Sequence, residues 1–170
     1  MKYLILLRHA KSSWKDLSLA DHDRPLNKRG KRTAPIIGER LSIKNIQPQL
    51  IISSTAKRAI KTAEIVANKI ACDSDMIETD IKLFHAMPKD ICELISKCNN
   101  TIDRLMLVGH NPGFTYLANK LLNSEFFENI PTAGLLTISI EIDNWDKFLQ
   151  PSIWRKIKLI DYDYPKLKEP

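Results

Sequence analysis

A chain of 170 residues, 44% apolar and 27% charged, has the composition of an ordinary folded protein and the size of a single domain, taken as 1–170. Its net charge of +6 favours anionic ligands, but the clusters KRGKR (28–32), KRAIK (57–61) and RKIK (155–158) carry no interleaved aromatics for stacking bases, which argues against nucleic acid as the partner. No stretch is long enough to cross a bilayer and MKYLILLRHA is no secretory leader. The odd set Cys72, Cys92 and Cys98 lacks metal or redox spacing, so a cytoplasmic location with reduced thiols is expected.

Residues 2–7, KYLILL, read as a buried strand, and 8–26 as a polar loop holding Trp14 and DHDRPL. A helix is expected from Asn27, a good N-cap, to Ile43; Pro35 deletes one of its hydrogen bonds and should bend or break it. LIIS (50–53) is a second buried strand. Ser53, Ser54 or Thr55 should cap a helix running to Ala71, whose apolar residues share one stripe. A short strand (76–83) and a helix (88–98) opened by Pro88 follow. RLMLVG (104–109) is a third buried strand, NPGFTYLANKLL (111–122) a helix, 135–142 a strand and 154–164 an edge strand. The tail YPKLKEP is left open between ordered and frayed. Strands alternating with helices imply an α/β fold, a three-layer αβα sandwich on a mostly parallel sheet.

Three strand ends carry the same chemistry. The first runs straight into Arg8 and His9. The second leads into a helix whose first turn holds Arg58, and the third ends at Gly109 and His110. In a parallel sheet these ends share one edge, where open α/β sheets bind ligands. Arg58 leans back toward that edge, because helical side chains point to the helix N-terminus. Two arginines, two histidines and two helix starts suit a phosphoryl group: the arginine fork binds oxygens in pairs and helix N–H groups attract anions. A neutral imidazole can attack phosphorus, and a second one, if protonated, can stabilise the transition state. There is no phosphate-binding glycine loop and no acidic cluster for magnesium, so side chains must supply the positive charge.

LLRHAKS (6–12), SSTAKRAIKTAE (53–64) and LVGHNPGF (107–114) resemble the histidine phosphatase superfamily, and DRPLNKRG (23–30) with PTAGL (131–135) resembles its SixA-like phosphohistidine phosphatase branch. The resemblance implies a phosphoglycerate-mutase-like fold, no metal and no cofactor. It implies His9 as the transiently phosphorylated nucleophile, with Arg8, Arg58 and His110 as the phosphate pocket. The implied substrate is phosphohistidine on a phosphorelay-type protein such as a histidine phosphotransfer domain. A small phosphomonoester and a non-catalytic phospho-ligand module are the alternatives. No long insertion is present to cover the pocket. Ala10 replaces the usual glycine, and Trp14 and Lys15 stand where relatives have a tryptophan and a phosphate-contacting asparagine. Where many relatives supply an acidic proton donor, this chain has LFHAMPKD (83–90), which offers His85; Asp16, Asp21 and Asp23 are weaker candidates.

Overall fold

The computed structural model describes residues 1–166. Residues 167–170, the end of YPKLKEP, lie outside the described residues. Six strands form one sheet: β1 (Lys2–Arg8), β2 (Leu50–Ser54), β3 (Ile77–Asp80), β4 (Arg104–Gly109), β5 (Leu135–Ile140) and β6 (Ile157–Asp163). Their order is β3-β2-β4-β1-β5-β6. The β1–β4, β2–β4 and β2–β3 pairs are parallel, while β5 runs antiparallel to both β1 and β6. The mostly parallel sheet is therefore as expected, with one reversed strand.

Alternate side chains of β1 go to opposite faces, as strand geometry requires. Leu4 and Leu6 enter one core with Leu105, Leu107, Phe114 and Leu117. Ile5 and Leu7 enter the other with Met106, Val108, Ala34, Ile37, Ala59 and Ala63. Helices α1 (Lys28–Ile43) and α2 (Lys57–Lys69) cover that second face; α3 (Pro88–Ser96) and α4 (Gly113–Leu121) cover the first. The result is the three-layer sandwich. A short α5 (Pro151–Trp154) and a 3₁₀ turn (Trp145–Leu149) close the first face; neither was foreseen from the sequence. The turn buries Trp145, whose Nε1 donates to the Ile102 carbonyl at 2.7 Å.

Several local expectations need correction. Helix α1 runs unbroken through Pro35, because Ala34, Ile37, Gly38 and Leu41 bury its stripe and outweigh one missing bond. Asn27 caps it as expected, accepting from the Gly30 N–H at 2.8 Å. Helix α2 is capped by Ala56 with no side-chain bond, and it ends at Lys69 rather than Ala71. The hydroxyls expected to cap it are spent elsewhere: Ser54 Oγ meets His110 and Thr55 Oγ1 meets His22. The third strand stops at Asp80 and turns into a 3₁₀ segment over Ile81–Leu83, which aims the following residues at the sheet edge. Helix α4 starts at Gly113, after a cis Asn111–Pro112 bond, two residues later than expected.

All three cysteines are free thiols, and burial pushes those of Cys92 and Cys98 up to about 11, so both stay protonated. Among the described residues no helix is long and apolar enough to cross a membrane.

Candidate active site

The register fixes the site. Arg8 of β1 lies opposite Gly109 of β4, so His9 and His110 are the first residues past two neighbouring strands. The His9 N–H donates to the Gly109 carbonyl at 3.0 Å, and the two imidazole centroids are 4.9 Å apart. On β2, Ser53 lies opposite Val108, which brings Ser54 level with Gly109, one residue short of His110. Ala133 closes the edge: with φ of 57°, in the region L-residues avoid, it turns its N–H to the carbonyls of Arg8 and His9.

Hydrogen bonding assigns the protons. His9 Nδ1 is 2.8 Å from the Ala10 carbonyl, which can only accept, so Nδ1 carries the hydrogen and Nε2 keeps its lone pair. That lone pair faces Arg58, whose Nε donates to it at 3.3 Å. Burial above all, with the charges of Arg58 and Arg8, pushes the His9 pKa down to about 4 against the partial support of the Ala10 bond and Asp21. The ring is therefore neutral at pH 7 and nucleophilic. His110 Nδ1 is 3.4 Å from Arg58 Nη2, a group that can only donate, so His110 Nε2 carries the hydrogen and donates to Ser54 Oγ at 2.8 Å. Burial, then the charges of His9, Arg58, His85 and Arg8, push its pKa down to about 2. The sequence reading gave His110 a role if protonated. The structure makes it neutral at pH 7, with no hydrogen on Nδ1 to donate.

Arg58 is the centre of the site although only 5% exposed. Besides His9 and His110 it donates through Nη1 to the Asp21 carbonyl and through Nη2 to Asp21 Oδ2 at 2.8 Å. Thr62, one turn along α2, accepts from the Ala10 N–H at 3.0 Å and donates to the Arg58 carbonyl at 2.7 Å, tying the loop after His9 to the arginine's helix. Arg8 is held through Nη1 by the Ile130 carbonyl at 2.6 Å and by Asn129 Oδ1 at 3.2 Å, which leaves the rest of its fork for an anion.

These groups line a cavity of about 300 Å³ with Lys11, Ser12, Trp14, Asp21, His85, Asn111 and Thr132. The four expected residues Arg8, His9, Arg58 and His110 thus come together, and His85 joins them at the rim. The His85 side chain is 65% exposed, with Nε2 3.7 Å from Asp21 Oδ2 and its ring on Phe84 at 4.0 Å. Lys15 is exposed and does not line the cavity; Lys11 does. Trp14 flanks the mouth, with the Arg24 guanidinium 3.5 Å from its ring centre. Asp16 binds Ser18 on the surface and Asp23 pairs with Lys57, so of the three aspartates only Asp21 reaches the site. Desolvation, the largest single influence on Asp21, raises its pKa, but Arg58, Arg24 and His85 together hold it below the usual carboxylate value. It is ionised at pH 7 and is no proton donor.

Of the two helix starts expected here, α2 contributes through Arg58, while α4 is represented only by Asn111 ahead of it. Sequence reasoning missed Ser54, Thr62, Phe84, Asn111 and Thr132. Phe84 stands edge-on to His22 and His110, at 5.0 and 5.5 Å, and packs on His85. A larger cavity of about 510 Å³ lies by β3 and α3, lined by Glu78, Asp80, Asp90 and Glu93 with two lysines over an apolar floor. Its one thiol, Cys98, is kept protonated by burial and it holds no arginine or histidine, so the smaller cavity is the better anion site.

The fold and the site define an α/β protein with two arginines and two neutral imidazoles gathered at the carboxyl edge of its sheet. The chain belongs to the histidine phosphatase superfamily (branch 1), whose family model matches residues 4–104. It is 36% identical over 141 residues to an uncharacterized chloroplastic protein of Arabidopsis thaliana, a match covering 78% of this chain and 65% of that protein, so the chain spans just under two thirds of that relative's length. Among solved structures it resembles a protein of Agrobacterium tumefaciens provisionally described as the phosphohistidine phosphatase SixA, with a TM-score of 0.81, 26% identity and coverage of 96% and 98% of the two chains. It also shares its fold with the protein histidine phosphatase SixA complexed with tungstate, at a TM-score of 0.76, 17% identity and coverage of 96% and 97%.

Proposed function

We propose that this protein is a phosphatase that removes phosphoryl groups from phosphohistidine on a phosphorelay-type protein, through a covalent intermediate on His9. The observation that carries the reading is the fixed tautomer of His9: Nδ1–H is tied to Ala10, and the Nε2 lone pair is held at 3.3 Å by the Nε–H of the arginine that would take the phosphoryl oxygens. A group that only bound phosphate would have no use for it.

In the first step the Nε2 lone pair attacks phosphorus, the bond to the leaving nitrogen breaks, and its electron pair stays with that nitrogen. Arg58 gives up His9 and Arg8 presents the open side of its fork, and together with Lys11 they face the charge spread over the phosphoryl oxygens. In the second step water attacks phosphorus, the phosphorus–Nε2 bond returns its electrons to His9, and inorganic phosphate leaves. The mouth beside Trp14 and the exposed His85 gives a histidine on another protein's surface a route in, which supports a protein substrate.

The test is incubation with a histidine-phosphorylated phosphotransfer domain, following phosphate release, with His9→Ala in parallel. Release by the wild type that the variant abolishes is expected. If the wild type instead released phosphate only from small phosphomonoesters, those would become the substrates.

A further inference from the structure

The cavity contains one anion. Arg8, Arg58 and Lys11 bring positive charge, and His9 and His110 are neutral, yet Asp21 puts an ionised carboxylate on the same wall with 42% of its side chain exposed. A negative charge beside a phosphoryl dianion opposes binding. Asp21 is not required to anchor Arg58 by its carboxylate alone, because its backbone carbonyl accepts from Nη1 separately. Its position makes sense if the bound substrate carries a positive charge at the rim.

We propose that the Asp21 carboxylate is a specificity-determining group that accepts a hydrogen bond from the protonated leaving ring of phosphohistidine. This rests on the function proposed above. The cavity divides into a cradle of Arg8, His9, Arg58 and His110 and a rim of Trp14, Asp21 and His85. With the phosphoryl group in the cradle, the leaving group lies toward the rim. An alcohol leaving group brings no positive charge there. A phosphorylated imidazole protonated on its second nitrogen does, as an N–H⁺ that matches a carboxylate. When His9 Nε2 forms its bond to phosphorus and the phosphorus–nitrogen bond breaks, the electron pair neutralises that ring. It departs as neutral imidazole with its N–H still on Asp21, and no proton changes hands. The side chains that face Asp21 are Arg58, Arg24 and His85, and all three would remain around an asparagine.

The experiment compares Asp21→Asn with wild type on a histidine-phosphorylated peptide and on p-nitrophenyl phosphate. Nitrophenolate leaves without a proton, so a role in proton donation would not distort the comparison. Loss of a charge-assisted hydrogen bond predicts that kcat/KM falls about tenfold or more on the peptide. On the nitrophenyl ester any fall, which would report looser positioning of Arg58, should be several-fold smaller, since that leaving group offers Asp21 no N–H⁺. An equal fall on both substrates would mean that Asp21 only positions Arg58, and would overturn the proposal. If wild type hydrolysed the ester but never the peptide, the phosphohistidine reading itself would have failed, a separate outcome visible before any variant is made.

Discussion

Replacing both His9 and His110 by asparagine should flatten the dependence of stability on pH. At about pH 8 both rings are neutral, folded or unfolded. On acidification to about pH 5 the unfolded chain protonates both rings at their ordinary value of 6.5, whereas the folded chain, with values pushed to about 4 and about 2, keeps both neutral. The unfolded state then binds more protons, so stability falls as pH falls across that window. Each ring contributes a loss of about 2 kcal/mol, about 4 kcal/mol together. The figure barely depends on how far the folded values are depressed, because neither ring takes up its proton in the folded state above about pH 5. The assay is urea unfolding of wild type and double variant at several pH values, taking the difference so that every other titrating group cancels. Parallel curves would mean that the rings titrate alike folded and unfolded, and would refute the claim that burial and neighbouring charge hold them neutral in acid.

Thr62→Val keeps the shape of a fully buried side chain but strands the Ala10 N–H; unfolding should become easier by about 1–3 kcal/mol, read from denaturant midpoints. Gly113→Ala would drive a Cβ into the Ala86 carbonyl, beside His85, and should lower stability by about 1–3 kcal/mol, measured as a drop in Tm. Arg58→Lys preserves the charge but not the fork that spans His9, His110 and Asp21, so phosphoenzyme formation in rapid-quench experiments should slow by about a hundredfold or more; near-normal rates would mean that point charge alone suffices.

The sheet and the edge that gathers the arginines and histidines were legible because they rest on patterns with a physical period. Continuous apolar runs such as LILL mark strands buried on both faces, and Arg8, Arg58 and His110 each follow such a run or open the helix after it. What escaped was set by distant partners. Nothing local in SSTAKR says that Ser54 will face His110 rather than cap α2. The persistence of α1 through Pro35 depends on a face buried against α2. Asp21 looked like one of three equivalent loop aspartates until the fold carried it to Arg58, and nothing in LFHAMPKD marked Phe84 as a neighbour of two histidines. The protonation of His110 also lay beyond sequence, since burial and neighbouring charge determine it.

The reversal of β5 has a consequence for how the protein could change over time. In a wholly parallel sheet only segments leaving a strand reach the carboxyl edge. Because β5 runs the other way, the segment entering it, Asn129 to Gly134, arrives at that edge too and supplies the anchors of Arg8 and the Ala133 N–H. Insertions between α4 and β5 can therefore grow a cover over the cavity and reset which partners gain entry, while the strands that aim the two imidazoles go untouched. Access and chemistry are encoded in separable stretches of chain, open to separate selection.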